Sequence, residues 1–178
     1  MPVREILQLG NPVLRQVAHP VADPSAPEVA ALVQDLTDTV AHWRETTGYG
    51  RAIAAPQIGA LKRVVLLRLP GREVWPLINP SIVARSPETP LVWDACLSFL
   101  AIFIQVPRHS WITVRYQDLG GQWHETRAGA EDDLAELLQH EIDHLDGILS
   151  IDRVVDVRSI CTREEFERRY RADSPYGR

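Results

Sequence analysis

The stretch "ELLQHEIDHLDG", residues 136 to 147, places two histidines four residues apart, with a glutamate directly after the first. In an α-helix such residues lie on one face, separated by roughly 6 Å along the axis, so His140 and His144 can direct their imidazoles at one metal ion. Glu141 lies about 100° around the helix from His140. Its carboxylate can therefore reach a water molecule beside the ion without being a ligand. The segment predicts a catalytic metal site on a helix, with two of its ligands identified.

A catalytic metal of this kind usually has three protein ligands and one position open to water. Glu164 is one candidate for the third ligand, but "TREEFERRY" around it is typical of a solvated helix whose acids are matched by arginines. His109 and His124 lie on or beside predicted strands, where a hydrogen-bonded histidine is the ordinary case. Cys96 is the strongest candidate, because a thiolate is a good ligand for zinc or ferrous iron.

Composition narrows the class of protein. With 178 residues, we predict one catalytic domain over 1–178. The net charge of -5 argues against non-specific or direct nucleic-acid binding, although a local basic patch stays possible. Two cysteines are too few for a disulfide framework. The start "MPVREILQLGNPVLRQV" has early charges and no long apolar run, so we expect no signal peptide, no membrane span and a cytoplasmic enzyme.

Hydrophobic periodicity predicts an α+β fold. An amphipathic helix begins at Pro27 and ends at Gly48. The segment "GYGRAIAAPQIG" is typical of a loop of small residues and "RVVLLRL" of a buried strand. Further predicted elements are a hairpin of "WITVRYQD" and "QWHETR" around "LGG", a helix through the two histidines, and a charged C-terminal helix "TREEFERRYRAD". Strands that precede helices, without β-α-β alternation, favour α+β.

Three segments of the chain carry a family resemblance. "GRAIAAPQ", "DACLS" and "QHEIDH" resemble, in order and near spacing, the peptide deformylase motifs G-x-G-x-A-A-x-Q, E-G-C-L-S and Q-H-E-x-D-H. The resemblance extends through "LGNPVLR", "INP", "VPRHSW" and "HLDGIL". It implies antiparallel or mixed sheets packed around a central helix that carries the two histidines, with an N-terminal amphipathic helix and a C-terminal helix.

The resemblance also implies an activity and residue roles. Peptide deformylases remove the formyl group from the N-terminal methionine of new polypeptides and release formate. The matching metal ligands are Cys96, His140 and His144, and Glu141 matches the general base. The donors that match those facing the formyl oxygen are the side-chain amide of Gln57 and the backbone N–H of Leu97. Iron(II) is typical of the family, and zinc, nickel or cobalt are alternatives that the ligand set does not separate.

This chain departs from the family motifs around the predicted substrate pocket. Asp94 and Ala95 stand where Glu and Gly are usual, and Ala52 replaces the second glycine of the first motif. Charged residues occur where relatives tend to be apolar, so the pocket either has altered polarity or has a salt bridge at its rim. The residues predicted to border it are Gly50, Arg51, Ala52, Asp133, Glu136 and Leu137. Helical spacing places Asp133 and Glu136 on the face of His140. The apolar run "FLAIFIQV" is predicted to be a strand with one buried face and a wall beside the substrate.

Two other functions stay open at this point. A metalloprotease would use Glu164 as its third ligand, and a catalytically inactive relative would bind nascent chains or another partner without holding metal. The C-terminal helix carries arginines that are able to contact the ribosome, but pairing with the neighbouring glutamates is the commoner role. Those arginines are Arg163, Arg168, Arg169 and Arg171.

Overall fold

The computed structural model describes residues 3–129 and 133–173, and its strands form two antiparallel sheets. The larger sheet has five strands in the order β1-β2-β3-β6-β7, and the smaller has three in the order β4-β5-β8. The strands are β1 (Ala52–Ala54), β2 (Val64–Leu67), β3 (Trp75–Arg85), β4 (Leu91–Asp94), β5 (Ile102–Pro107), β6 (Ile112–Gln117), β7 (Trp123–Ala128) and β8 (Cys161–Thr162). The helices are α1 (Pro27–Thr47), α2 (Leu134–Leu145) and α3 (Arg163–Arg169). The predicted α+β class is confirmed.

The larger sheet lies between α1 and α2, which explains why β2 is apolar at every position. Val65 and Leu67 belong to the core that α2 shares with the sheet, whereas Val64 and Leu66 belong to the core under α1. Successive side chains of a strand point to opposite faces, so both faces of β2 are buried. The prediction that "RVVLLRL" forms a buried strand is confirmed, and α2 is held on the sheet by its apolar side.

The limits of α1 follow its sequence signals. The helix begins at Pro27, and Gly48 caps it with a φ of 78°, in the left-handed region that glycine adopts without strain. The predicted hairpin is also confirmed, because β6 and β7 pair from Ile112 opposite Ala128 to Gln117 opposite Trp123. Among the described residues, no helix has the length and apolar character needed to cross a bilayer.

Some sequence predictions are wrong in detail. The long strand β3 was not predicted, because Pro76 and Pro80 interrupt its apolar pattern, and its pairing with β6 contains register shifts. The predicted loop of small residues contains β1 and a 3₁₀ turn at Ala55–Ile58. Asp133 is not on the face of the histidine helix. That helix begins at Leu134, and Asp133 has a φ of 53° that takes it off the helical spiral.

Candidate active site

Two segments bring three side chains together beside a cavity. Helix α2 contributes His140 and His144, and Cys96 comes from the turn after β4. One donor atom of each of these residues lies within 4.8 Å of the others, and all three side chains are buried. In the part of the chain that the structure describes, no other cluster of three histidine, cysteine or acidic residues is close enough to hold a metal ion.

The other candidate ligands lie elsewhere. Glu164 is exposed on α3, and it is not part of the cluster. The ring of His109 lies 2.6 Å from the carbonyl oxygen of Ser86, and that of His124 lies 2.7 Å from the carboxylate of Asp118. Both histidines have the ordinary hydrogen-bonded role, and Cys96 is the third donor of the cluster.

A buried carboxylate orients His140. Asp94, at the end of β4, lies with Oδ1 2.7 Å from Nδ1 of His140. A hydrogen bond at Nδ1 leaves Nε2 as the metal-binding atom, the usual arrangement of a histidine ligand. Burial by itself would lower the pKa of His140, but the Asp94 carboxylate holds that pKa well above its usual value. The raised pKa means that His140 holds a proton on both ring nitrogens. A metal ion would have to displace the proton on Nε2, since only neutral imidazole is a ligand.

A second layer of buried charges holds Asp94 in place. The guanidinium of Arg108 donates to Asp94 at 2.8 Å and to Asp143 of α2 at 2.6 Å. Arg153 donates to the same Asp143. The chain of ion pairs ties β4, the segment after β5 and α2 into one arrangement. We call Asp94, Arg108 and Asp143 the charge network.

The charge network was missed as part of the site. In the sequence, Asp94 was noted only because it departs from the family motif. Arg108 was included in the matching segment "VPRHSW" without a predicted role. A motif shows residue types in order, but it does not show that an arginine lies between two carboxylates from distant segments. The weak signal was the pair of aspartates so near the ligands, one directly before "ACLS" and one directly before His144.

The environment of His144 differs from that of His140. Its Nε2 lies 3.3 Å from Sγ of Cys96. Its Nδ1 is buried and has no hydrogen-bond partner within residues 3–129 and 133–173. Burial, reinforced by the nearby charge of His140, lowers the pKa of His144 well below its usual value. His144 is therefore neutral and ready to act as a ligand.

Glu141 is the other ionisable group at the cluster. Its side chain is buried at the cavity wall, and Oε2 has no hydrogen-bond partner among the described residues. Burial raises the pKa of Glu141 to about 7, although the charge of His140 opposes the increase. A carboxyl group with a pKa near neutrality can both accept and return a proton.

Gln57 is held so that its amide N–H groups face the cysteine. Its Oε1 accepts a hydrogen bond from the backbone N–H of Ala54 at 2.9 Å. Its Nε2 lies 3.6 Å from Sγ of Cys96 and 3.3 Å from Oγ of Ser98. Leu97 begins the 3₁₀ turn after Cys96, where a backbone N–H has no partner inside the helix. Both predicted donors lie at the cavity.

The cavity has a volume of about 50 Å³, room for a few water molecules. Of the predicted substrate residues, Gly50, Arg51, Ala52 and Leu137 line it. A side chain at Gly50 would meet the carbonyl oxygen of Val40 at 3.1 Å, and φ there is 125°, so glycine is required.

The remaining wall residues differ from the prediction. Neither Asp133 nor Glu136 is among the described lining residues; Asp133 pairs with Arg51, and Glu136 is buried in the first turn of α2. Of the apolar run after the cysteine motif, only Leu100 reaches the described wall. The strand β5 was predicted to have one buried face, but the neighbouring residues Phe103 and Ile104 are both fully buried, so both faces of the strand are covered at that point. Tyr49 lines the cavity and was not predicted to do so.

Comparisons with known proteins identify the family of this chain. The sequence model of the family described as Polypeptide deformylase matches residues 3–159. A peptide deformylase of Thermomicrobium roseum is 41% identical over 177 residues, covering 93% of this chain and 95% of that relative.

Solved structures are similar over most of the chain. The crystal structure of a peptide deformylase from Synechococcus elongatus in complex with actinonin has a TM-score of 0.80 at 30% identity, covering 89% of this chain and 82% of that one. The Met-ala-ser bound crystal structure of a class I type b peptide deformylase from Acinetobacter baumannii has a TM-score of 0.77 at 29% identity, covering 86% of this chain and 99% of that one.

Proposed function

The chain belongs to the polypeptide deformylase family, and on that premise we propose that it hydrolyses the N-formyl group of the formyl-methionyl residue of newly made polypeptides. The products are formate and a free N-terminal amine. The observation that carries the proposal is the cluster of Cys96, His140 and His144 at the end of a cavity that Glu141 and Gln57 also line. A peptide-bound relative, with Met-ala-ser in its structure, supports a peptide as the substrate class.

The donor set fits one divalent metal ion. It offers a thiolate and two imidazoles, a combination that suits zinc or iron(II), and cobalt or nickel as well. Nδ1 of His144 and Oε2 of Glu141 are buried and have no partner among the described residues. These unpaired polar atoms indicate that the site binds a further group, such as a metal ion, water or substrate. In this proposal Cys96, His140 and His144 hold the ion. It would supply Lewis acidity, which polarises a carbonyl group and makes water a stronger acid.

Glu141 moves the proton. Its carboxylate accepts one proton from the water that attacks the formyl carbon and delivers it to the amide nitrogen as the C–N bond breaks. The formyl carbon leaves as formate with the oxygen of that water. A pKa of about 7 for Glu141 suits both transfers, because neither direction is strongly uphill near neutral pH.

Gln57 and Leu97 stabilise the negative charge that develops on the formyl oxygen. The amide of Gln57 is fixed through the Ala54 N–H, so its own donors need no reorganisation during the reaction. The N–H of Leu97, at the start of a 3₁₀ turn beside Cys96, is the second donor. Fixed donors of this kind are a large source of rate enhancement in acyl transfer.

The cellular setting follows from the substrate. New polypeptides are made in the cytoplasm, and we place the enzyme there. Contact with the ribosome through α3 has weaker support, because two of its arginines, Arg168 and Arg169, already pair with Glu165, and Arg171 lies 4.0 Å from Glu167. This pairing favours a solvated helix.

Metal analysis paired with a formate-release assay tests the proposal. Protein loaded with iron(II), zinc, nickel or cobalt should hold one ion per chain and release formate from a formyl-methionyl tripeptide. Cys96→Ala should lose both the ion and the activity, whereas Cys161→Ala, at the chain's other free cysteine, should keep both. If metal-loaded wild-type protein releases no formate, the proposed hydrolase activity is wrong, and the alternative of an inactive binding protein is favoured.

A further inference from the structure

The two proposed oxyanion donors lie on separate 3₁₀ turns, and one short segment near the N-terminus bonds to both turns. We call that segment, residues 6–9, the arm. The backbone N–H of Leu7 donates to the carbonyl oxygen of Gln57 at 2.8 Å, and the N–H of Leu9 donates to the carbonyl oxygen of Ser98 at 2.8 Å. Gln57 lies on one turn, and Ser98 lies on the turn that carries the second donor. The arm therefore bridges the two turns.

The side chain of Gln8 adds a third bond from the arm. Its Nε2 donates to the carbonyl oxygen of Leu97 at 3.3 Å and to that of Ile6 at 3.0 Å. The Leu97 carbonyl shares its peptide unit with the N–H of Ser98, which donates to Sγ of Cys96 at 3.4 Å. Because a peptide unit is planar, a bond that holds its carbonyl also helps to fix the direction of its N–H. Gln8 acts from outside the cavity, since it is exposed and is not among the described residues that line it.

Apolar contacts hold the arm in place beside the same turns. Ile6 is 2% exposed and belongs to the core cluster that includes Leu97. Leu7 packs against the neighbouring cluster, which includes Cys96 and Phe99. The arm is therefore a packed part of the protein, and the hydrogen bonds that it makes start from fixed positions.

Stabilisation of the oxyanion depends on the spacing of its two donors. Each donor has to lie about 2.7–3.1 Å from the oxygen, and a misplacement of about 1 Å can lower the rate roughly 10²-fold. The bond from Ala54 orients Gln57 within its own turn, but it does not set the distance to the other turn. Nε2 of Gln57 lies 3.3 Å from Oγ of Ser98, but this contact uses the donor atom itself. The bonds from the arm use other atoms and persist while the donors face the substrate.

Resting on the proposed function, we infer that Gln8 is a positioning residue that sets the spacing of the two oxyanion donors, with the packed arm as its support. Negative charge on the formyl oxygen is greater in the transition state than in the bound substrate, so well-placed donors stabilise the transition state more. Loss of the bond from Gln8 to the Leu97 carbonyl should therefore lower kcat and leave KM unchanged.

The first experiment replaces the donor without shortening the side chain. Gln8→Met is compared with wild-type enzyme, both loaded with the same metal, in steady-state kinetics with a formyl-methionyl tripeptide. We expect kcat to fall about two- to tenfold, the range for one lost neutral hydrogen bond, with KM and metal content unchanged. A fall of less than about twofold overturns the inference. An effect confined to KM, or a loss of metal that accounts for the fall, also overturns it.

A second measurement separates positioning from general loosening of the protein. Gln8→Met is also made in the Gln57→Ala variant, where only one of the two donors is left and their spacing no longer matters. Two substitutions that act through one device are not additive. In this background Gln8→Met should change kcat by less than about 1.5-fold. Equal falls in the two backgrounds would show that Gln8 does not act through the pair of donors.

A matched control is Gln34→Met on α1. Gln34 is also exposed, and its Nε2 donates to Asp38 at 2.8 Å, away from the arm. The control should leave kcat unchanged, and a fall equal to that of Gln8→Met would overturn the inference. Unfolding temperatures show whether the two variants are equally stable. If wild-type enzyme releases no formate, the proposed function fails and the inference fails with it, whereas an active wild type with an unaffected Gln8→Met variant rejects the inference alone.

Discussion

Two parts of the site hold their charged residues in different ways. The inner end comprises Glu141, His140 and the charge network bonded to His140, and the mouth comprises Tyr49 and its partner Glu167. Behind His140, the charge network of Asp94, Arg108 and Asp143 is almost fully buried, and each member contacts the next. At the mouth, Tyr49 is half-buried, and its hydroxyl donates to the exposed Glu167 at 2.8 Å. Buried ion pairs resist change because removing one partner leaves an uncompensated charge. Partners in contact with water are replaced at little cost. The inner end should therefore set geometry, and the mouth should adjust binding.

The largest effect is expected at the proton-transfer residue of the inner end. Glu141→Gln keeps size and hydrogen bonding but cannot accept a proton, so kcat should fall by roughly 10² to 10⁴. Metal content should stay near one ion per chain, because Glu141 is not a ligand in the proposed site. Loss of most of the metal would assign Glu141 to the ligand set.

A smaller effect is expected for the oxyanion donor. Gln57→Ala should lower kcat by roughly 10² to 10³ with little change in metal content, the range for one lost hydrogen-bond donor. Steady-state kinetics with a formyl-methionyl tripeptide measures it. If kcat is unchanged, the role of Gln57 is limited to its bond with Ala54.

The charge network predicts an effect on metal affinity. Asp94→Asn weakens the bond that orients His140, so metal affinity should fall roughly 10- to 100-fold. Competition with a chelator measures the affinity. A matched control is Asp146→Asn at the exposed end of α2, where the carboxylate pairs with Arg63, and it should leave metal affinity unchanged. Equal effects at the two positions would mean that the buried network has no special part in holding the ligand.

The mouth should give the smallest effect. Tyr49→Phe and Glu167→Gln each weaken the same half-exposed hydrogen bond, so both should raise KM by no more than about threefold and leave kcat and metal content unchanged. Glu164→Gln, on the same helix but away from Tyr49, serves as the reference. A loss of kcat comparable to that of Gln57→Ala would show that the mouth also controls the chemistry, and the contrast between the two ends would fail.

Local sequence patterns predicted the elements that depend on neighbouring residues. The start of α1 at Pro27 and its end at Gly48 follow from backbone preferences. The β6–β7 hairpin follows from a short polar turn between two runs of strand-forming residues. β3 escaped prediction because its prolines disrupt the local signal. That strand forms through pairing on both sides, with β2 and with β6.

The sequence by itself determined that His140 and His144 share a helix face with Glu141 beside them, because helical spacing depends only on the backbone. Family motifs added Cys96 and Gln57 as their partners. Only the tertiary structure decided that Arg108 lies between Asp94 and Asp143, and that Asp133 leaves the helix to pair with Arg51. These contacts join segments far apart in the chain. Their strength depends on burial and on distances of a few ångströms, and a linear pattern of residue types contains neither quantity.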